Sequence, residues 1–314
     1  MNAAVNPFTR QARDSVSALG EENLIRAIRG WLGLASPPAP FGIGDDCAVL
    51  PRPRSQQLLT VDPVVFGRHF DARVTPREVG EKLLKRNLSD LAAMGGRPTA
   101  AVIALMLDAR VSRRWLEQFY RGLAACARRY RVPVVGGDIV QADGVLAAPL
   151  TLLGETVSGR AVTRTGARRG DWIFVTGQLG GSLGSGHHHR FTPRLPEGAW
   201  LAARRDVHAM MDLSDGLAKD LPALTPAGTE AEIAPAALPR RRGCDLRAAV
   251  SDGEDYELVF AVSGRTDPGK FKQAWRRAFP RTRLSCLGRF VRAGTLSPQS
   301  VRLEAYQGYE HLVR

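Results

Sequence analysis

Phe41-Gly-Ile-Gly-Asp-Asp-Cys-Ala-Val-Leu50 sets two adjacent carboxylates, Asp45 and Asp46, on a glycine turn that runs into an apolar segment. Neighbouring carboxylates repel, so a fold that keeps such a pair beside an apolar strand gains by bringing in cations. The same kind of feature recurs along the chain at Thr60-Val-Asp62, Asn87-Leu-Ser-Asp90, Gly136-Gly-Asp138, Asp212-Leu-Ser-Asp215 and Ser251-Asp-Gly-Glu-Asp255. Each cluster stands at the edge of an apolar run, which points to one polyvalent site assembled from distant segments.

The flanks of that first stretch have readable periodicity. Residues 21–34 carry Leu24, Ile25, Ile28, Trp31 and Leu32 on one broad helical face, and Ser36-Pro-Pro-Ala-Pro40 ends the helix. Residues 47–50 and 58–62 read as strands, the second closing on Asp62. Thr75-Pro-Arg-Glu78 opens a helix with a polar cap, Pro at its first position and an acid in its first turn, and Gly95-Gly96 ends it after Met94. Helical spacing places Leu83, Asn87, Asp90 and Met94 along one stripe. Asn87 and Asp90 are then polar groups on an otherwise buried face. Hydrogen bonding to a neighbouring loop is the bland reading; a buried carboxylate needs a cation or several donors, which favours Asp90 as a ligand.

Strands are expected over residues 98–107, 132–135 (ending at Gly136-Gly-Asp138) and 145–155, with a helix over 115–130. In the second half, residues 172–176 read as a strand leading into the glycine loop 177–186, which lacks the lysine of a Walker A loop. Residues 209–212 form a strand end, Ser214 or Asp215 an N-cap for a helix over 214–221, 258–262 a strand and 271–279 a final helix. His187-His188-His189 has no Cys or Glu at ligand spacing, and reads as a polar segment near nucleotide rather than a zinc site.

A length of 314 residues exceeds the usual single core. The expected division is a loose leader over 1–20, an N-terminal domain over 21–157 and a C-terminal α/β domain over 158–314, with the boundary near Ser158. Alternating strands and helices give an α/β (α+β) class. The formal charge is +13, from 44 Lys+Arg against 31 Asp+Glu. Because the arginines are scattered, a solvated surface that attracts anionic nucleotides is favoured over nucleic-acid binding. Four widely spaced cysteines form no C-x-x-C pair, which fits a reduced, cytoplasmic setting. No apolar run is long enough for a membrane span.

Carboxylate-rich clusters without His or Cys ligands suit hard cations, chiefly magnesium, and magnesium on several carboxylates most often handles nucleotide phosphates. Phosphoryl transfer by positioning and charge neutralisation needs no protein nucleophile, and neither a G-x-S-x-G elbow nor the protein-kinase H-R-D and D-F-G pattern is present. No catalytic side chain is therefore assigned.

Gly42-Ile-Gly-Asp-Asp46, Asn87-Leu-Ser-Asp-Leu-Ala-Ala-Met-Gly95, Gly136-Gly-Asp138, Asp212-Leu-Ser-Asp-Gly216 and Gly253-Glu-Asp-Tyr-Glu-Leu258 stand in the order found in the thiamine-monophosphate kinase family. From about residue 20 onward the chain resembles that family, within the aminoimidazole ribonucleotide synthetase-like superfamily. The resemblance implies a two-domain α/β homodimer in which N-terminal sheets pair across the dimer and ATP lies near the junction of the two N-terminal domains. It implies transfer of the ATP γ-phosphoryl group to thiamine monophosphate. Carried over residue by residue, Asp46, Asp62, Asp90, Asp138 and Asp212 would hold magnesium ions with Thr60 near one of them, and Asp215 would hold a further ion. Gly137, Asp138, Arg164 and Ser214 would contact ATP, and His69 and Glu254 the thiamine phosphate. The chain departs from the family pattern at Val61, at Phe66, where a Glu is usual, and at Leu312. Alternatives are a superfamily relative that phosphorylates or ATP-activates another small molecule, and a non-catalytic nucleotide- or nucleic-acid-binding protein.

Overall fold

The computed structural model describes residues 5–39, 41–43 and 47–310, so Asp45, Asp46 and Leu312 lie outside the described residues. The chain divides into two units, one made of Met1–Leu88 with Pro98–Glu155, the other of Ser89–Arg97 with Thr156–Arg314.

The first unit contains helices α1 (Glu21–Leu32), α2 (Pro76–Ala93, whose last residues count with the second unit) and α3 (Arg113–Tyr130). Its strands are β1 (Gln57–Val65), β2 (Gly96–Leu107), β3 (Val134–Gln141) and β4 (Leu146–Thr156), in the sheet order β1-β4-β2-β3. Thr75 and Glu78 start α2 with a reciprocal capping box: the Thr75 amide and hydroxyl donate to Glu78 Oε2 (3.1 and 2.7 Å), while the Glu78 amide donates to Thr75 Oγ1 (3.3 Å). Helices α2 and α3 meet backbone to backbone, since a Cβ on Gly80 would stand 2.0 Å from Phe119 O and one on Gly122 would stand 2.1 Å from Arg77 O. Trp115, Leu116 and Phe119 of α3 pack on Val64, Leu105 and Ala148 of the sheet. Along β1 the period of two puts Leu58, Thr60 and Asp62 on one side and Leu59 and Val61 on the other, where Leu59 is 69% and Val61 60% exposed.

Residues 5–20 are not a loose leader. The Val5 amide donates to Ala72 O, the Thr9 amide to Arg110 O, and Phe8 bridges Val111. The Phe8 ring stands edge-on to Phe66 at 5.7 Å, and Phe66 continues through Phe70, Trp115 and Phe119 to Tyr120. Phe66 therefore serves aromatic packing that ties the N-terminal segment down. Residues 47–50 form no strand. Strand β3 does not stop before the glycines but runs through them, pairing in parallel with β2 so that Gly137 lies beside Ile103 and Asp138 beside Ala104.

The second unit is organised on β5 (Trp172–Thr176), β6 (Val207–Asp212), β7 (Thr229–Ile233), β8 (Leu258–Val262) and β9 (Leu284–Arg292), ordered β6-β8-β5-β9-β7, with every recorded pairing antiparallel. Its helices are α4 (His187–Arg190), α5 (Leu195–Ala202), α6 (Leu217–Asp220), α7 (Leu246–Ser251) and α8 (Pro268–Ala278). Ile173, Val175, Met211, Val259 and Ala261 face one core with Leu217, Ala249 and Val250. Phe174, Met210, Phe260 and Val262 face another with Leu201, Phe271 and Trp275. All five residues of β8 are buried, as expected of a central strand covered on both faces.

Candidate active site

Each unit arranges its part of the expected site in its own way. In the first, Asp62 near the end of β1 receives the Arg86 guanidinium (3.3 Å), and Arg86 also donates to Pro63 O (2.5 Å). Asn87 Nδ2 donates to Leu83 O and Asp62 O, while Asn87 Oδ1 is buried with no hydrogen-bond partner. Thr60 shares the Asp62 side of β1 by register. His69 sits on the following turn. Its Nδ1 accepts the Val65 amide (3.1 Å), which assigns the proton to Nε2, and its carbonyl is held by the ammonium of buried Lys82 (2.7 Å).

Gly136, Gly137, Asp138 and Ile139 form one side of a cavity of about 500 Å³; Ile25, Ile28 and Leu32 of α1, with Tyr120 of α3, form an apolar wall. The glycine at 137 is sterically required, because a Cβ there would meet Ile103 O at 2.1 Å. Asp138 itself is exposed. Sequence reading missed Tyr120 and the α1 residues as cavity walls; their apolar spacing marked a buried face, with nothing to indicate a hollow beside it.

In the second unit, Asp212 ends β6 and is 3% exposed, accepting the Ser89 hydroxyl at 2.6 Å. Two loops then lie side by side. The Leu213 amide donates to Glu257 O, the Tyr256 amide to Leu213 O and the Glu254 amide to Ser214 O. Gly216 has φ +102°, and a Cβ there would meet Ser251 O at 2.7 Å; one on Gly253 would meet Ser214 O at 2.8 Å. Only glycine permits this approach and this backbone. Neither Ser214 nor Asp215 caps α6: Gly216 occupies the cap position without a side-chain bond, and Asp220 reaches back so that its Oδ2 accepts the Asp215 amide (2.9 Å). Burial pushes the Asp220 carboxyl up to about 7, and the nearby Asp212 and Asp215 push it the same way. The repulsion that Asp212 and Asp215 exert on the Asp220 carboxylate is of a kind that a divalent cation would relieve. Lys219 Nζ lies 3.0 Å from Asp215.

Glu254 (φ +62°) and Tyr256 (φ +50°) hold strained backbone conformations. The Tyr256 hydroxyl donates to Glu254 Oε1 (3.3 Å), and His188 Nδ1 lies 3.3 Å from Glu254 Oε2. The three histidines form the single turn α4: His189 Nδ1 is 3.0 Å from His188 Nε2, and His187 Nε2 is 3.0 Å from Asp255 O. His188 thus bears on Glu254, a residue expected at the substrate. Arg164 is exposed on a short 3₁₀ turn, Arg164–Gly166. Asp90 is half-buried toward the end of α2. Tyr309, also missed, is 47% exposed; its amide donates to Asp215 O and its carbonyl accepts Lys219 Nζ, so its backbone is held against the Asp212–Gly216 loop.

Among the described residues no three His, Cys, Asp or Glu side chains stand grouped to hold a metal ion. The donor chemistry nonetheless fits magnesium. The candidates are all oxygen donors, and the orphaned Asn87 Oδ1 supplies another in the first unit.

Residues 44–160 match the family model described as AIR synthase related protein, N-terminal domain. The thiamine-monophosphate kinase of Salmonella typhimurium is 39% identical over 276 residues, covering 78% of this chain and 83% of that protein. That of Rhodopirellula baltica is 37% identical over 247 residues, covering 72% and 77%. The crystal structure of thiamine-monophosphate kinase from Stenotrophomonas maltophilia superimposes with a TM-score of 0.71 at 29% identity, over 91% of this chain and 95% of that one. AaThiL complexed with AMPPCP and TMP gives 0.69 at 28% identity, over 97% and 99%. The hydrogenase maturation protein HypE in complex with ATP, 18% identical with a TM-score of 0.69 over 88% of each chain, shares the fold. By identity and coverage, the chain belongs to the thiamine-monophosphate kinase family.

Proposed function

We propose that the protein is an ATP-dependent thiamine-monophosphate kinase that moves the γ-phosphoryl group of ATP onto the phosphate of thiamine monophosphate, yielding thiamine diphosphate and ADP. The observation that carries this reading within the site is the cavity beside Gly137 and Asp138. Its apolar wall suits a purine, and the adjacent strand presents a carboxylate to the phosphates. Asp46, Thr60, Asp62, Asp90, Asp138, Asp212 and Asp215 would hold magnesium. Bound there, the ions would neutralise the phosphates and withdraw charge from the transferring group.

The chain's own residues position and orient. Gly137 lets the backbone approach the nucleotide, and Arg164 and Ser214 contact ATP. The Nε2 proton of His69 is directed to the acceptor phosphate, because its Nδ1 is occupied by the Val65 amide. Glu254 opposes the positive charge of the thiazolium, and Tyr309 offers a stacking face to the same ring. Asp220 holds the Asp212–Gly216 loop by accepting the Asp215 amide.

The working form is a homodimer. Leu59, Val61, Val102, Met106 and Val140 leave apolar side chains exposed on strands of the first sheet, and a second copy would cover them. No helix among the described residues is long and apolar enough to cross a membrane. All four cysteines are free, which supports a reducing, cytoplasmic location.

The test is direct detection of thiamine diphosphate after incubating purified protein with ATP, thiamine monophosphate and magnesium, with and without a chelator. Product that vanishes with chelation supports the reading. Nucleotide binding without thiamine diphosphate would leave the fold standing and remove the acceptor.

A further inference from the structure

Outside the site just described, the second unit has a groove of about 650 Å³ between the C-terminal half of α8, the turn after it, the start of β9 and the turn after β7. Lys272 and Arg276 project into it from α8, and Arg281 and Arg283 from the turn; no Asp or Glu lines it. No salt bridge among the described residues engages any of the four, whereas Arg194, Arg204 and Arg241 elsewhere in the unit each have a carboxylate partner. Lys272 and Arg276 are one helical turn apart, a like-charge spacing that is mildly repulsive on its own.

The backbone beneath these side chains is held fast. Trp275 Nε1 donates to Thr282 O (2.8 Å), the Thr282 amide to Phe279 O (3.2 Å), the Thr282 hydroxyl to Glu197 Oε1 (2.7 Å) and the Gly177 amide to Arg283 O (2.9 Å). Four unneutralised cations on a pinned frame around a concavity form a receptor for concentrated negative charge. A flat basic face would suit a nucleic-acid backbone, but a groove of this volume suits a small molecule. Charge of that density in a small molecule belongs to a polyphosphate, and guanidinium groups bind phosphate oxygens in pairs.

We propose that this groove is a second binding site, for the di- or triphosphate group of a small molecule, built from Lys272, Arg276, Arg281 and Arg283. None of these residues belongs to the proposed kinase site, and the inference does not rest on the kinase reading. The polyphosphate is the recognised feature; a nucleotide or a thiamine diphosphate would each carry it.

Cys286 lines the same groove and supplies the probe. Its thiol reacts as thiolate, which burial disfavours and Lys272 favours. An anion bound among the cations obstructs the thiol and cancels that favourable field. Alkylation by N-ethylmaleimide, read at the Cys286 peptide by mass spectrometry, is measured with inorganic tripolyphosphate, then with ATP and thiamine diphosphate as separate arms. Tripolyphosphate is expected to slow Cys286 alkylation by about fivefold or more, and protection is lost at roughly 1 M salt. Arg281→Glu with Arg283→Glu, and independently Lys272→Gln with Arg276→Gln, should each abolish protection while leaving the far-ultraviolet circular dichroism unchanged. The ATP and thiamine diphosphate arms identify which organic group is carried. Equal alkylation with and without tripolyphosphate overturns the proposal, as does protection that persists in both folded double variants. Protection by duplex DNA but not by tripolyphosphate also overturns it, in favour of an extended polyanion surface.

Discussion

The two sheets solve the same problem differently. In the sheet of the second unit, alternate residues of β5, β6 and β8 enter two separate cores, so that Phe174 and Phe260 pack with Phe271 and Trp275 while Val175 and Val259 pack the other way. In the sheet of the first unit, one side packs on α3 and the other leaves Leu59 and Val61 mostly exposed. The unit with a complete core also holds the cross-tied loops carrying Asp212, Asp215 and Glu254. The unit with an unfinished sheet holds the cavity and the exposed carboxylate of Asp138. One region is preorganised by its own packing, and the other leaves an open cavity and exposed apolar side chains, which the proposed second copy and nucleotide would cover.

The contrast is broken most strongly by truncating each sheet. Phe260→Ala, which removes a fully buried ring, should cost about 3–5 kcal/mol in urea unfolding and leave the oligomeric state unchanged. Leu59→Lys with Val61→Lys should do the reverse, raising the dimer dissociation constant by at least about 100-fold in sedimentation equilibrium. Monomer stability should stay within about 0.5 kcal/mol. A double variant that unfolds instead would mean that this side of the sheet is covered within one chain.

A smaller effect concerns Asp255, whose carboxyl burial pushes up to about 7 with Glu257 acting the same way, against the Gly180 amide and Arg241. An acid whose folded pKa lies above its unfolded value of about 3.9 costs nothing while protonated in both states. It costs stability as pH rises from about 4 through 7. Stability should therefore fall by roughly 2 kcal/mol between pH 5 and 7 through this group. Asp255→Asn should flatten that limb, and an unchanged slope would place the titration elsewhere.

The smallest effect sharpens the role of the histidine turn. His188→Ala frees Glu254 on one side and should raise the KM for thiamine monophosphate about tenfold with little change in kcat. His188→Gln, which keeps a donor, should recover part of the loss. A kcat loss with KM unchanged would assign His188 to the transfer step.

Where local chemistry and tertiary context agree, the sequence was readable. The strands expected at 172–176 and 258–262 form with those limits, because both are apolar runs with turn residues at their ends. Capping chemistry at Thr75 and Glu78 located the start of α2. Glycine was the main source of error. Gly136 and Gly137 read as a terminator, yet they are interior strand residues that allow close approach to Ile103. Gly216 took the cap position expected of Ser214 or Asp215, because Asp220, five residues on from Asp215, satisfies the loop amide. Strand β7 was missed because Thr229-Glu-Ala-Glu-Ile233 offers only Ala231 and Ile233 to the core, and β9 because Gly288 and Arg289 interrupt its pattern. Of the site, the carboxylate positions were legible as motifs. The cavity wall at Tyr120, the Ser89 bond to Asp212 and the placement of Tyr309 depend on packing between distant segments, which no local pattern encodes.

The most direct test of the account measures thiamine diphosphate formation by Asp138→Asn and Asp212→Asn, one substitution from each unit, beside the parent protein at saturating magnesium. Each is expected to lose about 100-fold or more in kcat while keeping its thermal midpoint, since neither removes core packing. A variant that forms thiamine diphosphate at the parent rate, or a parent protein that forms none, would contradict it.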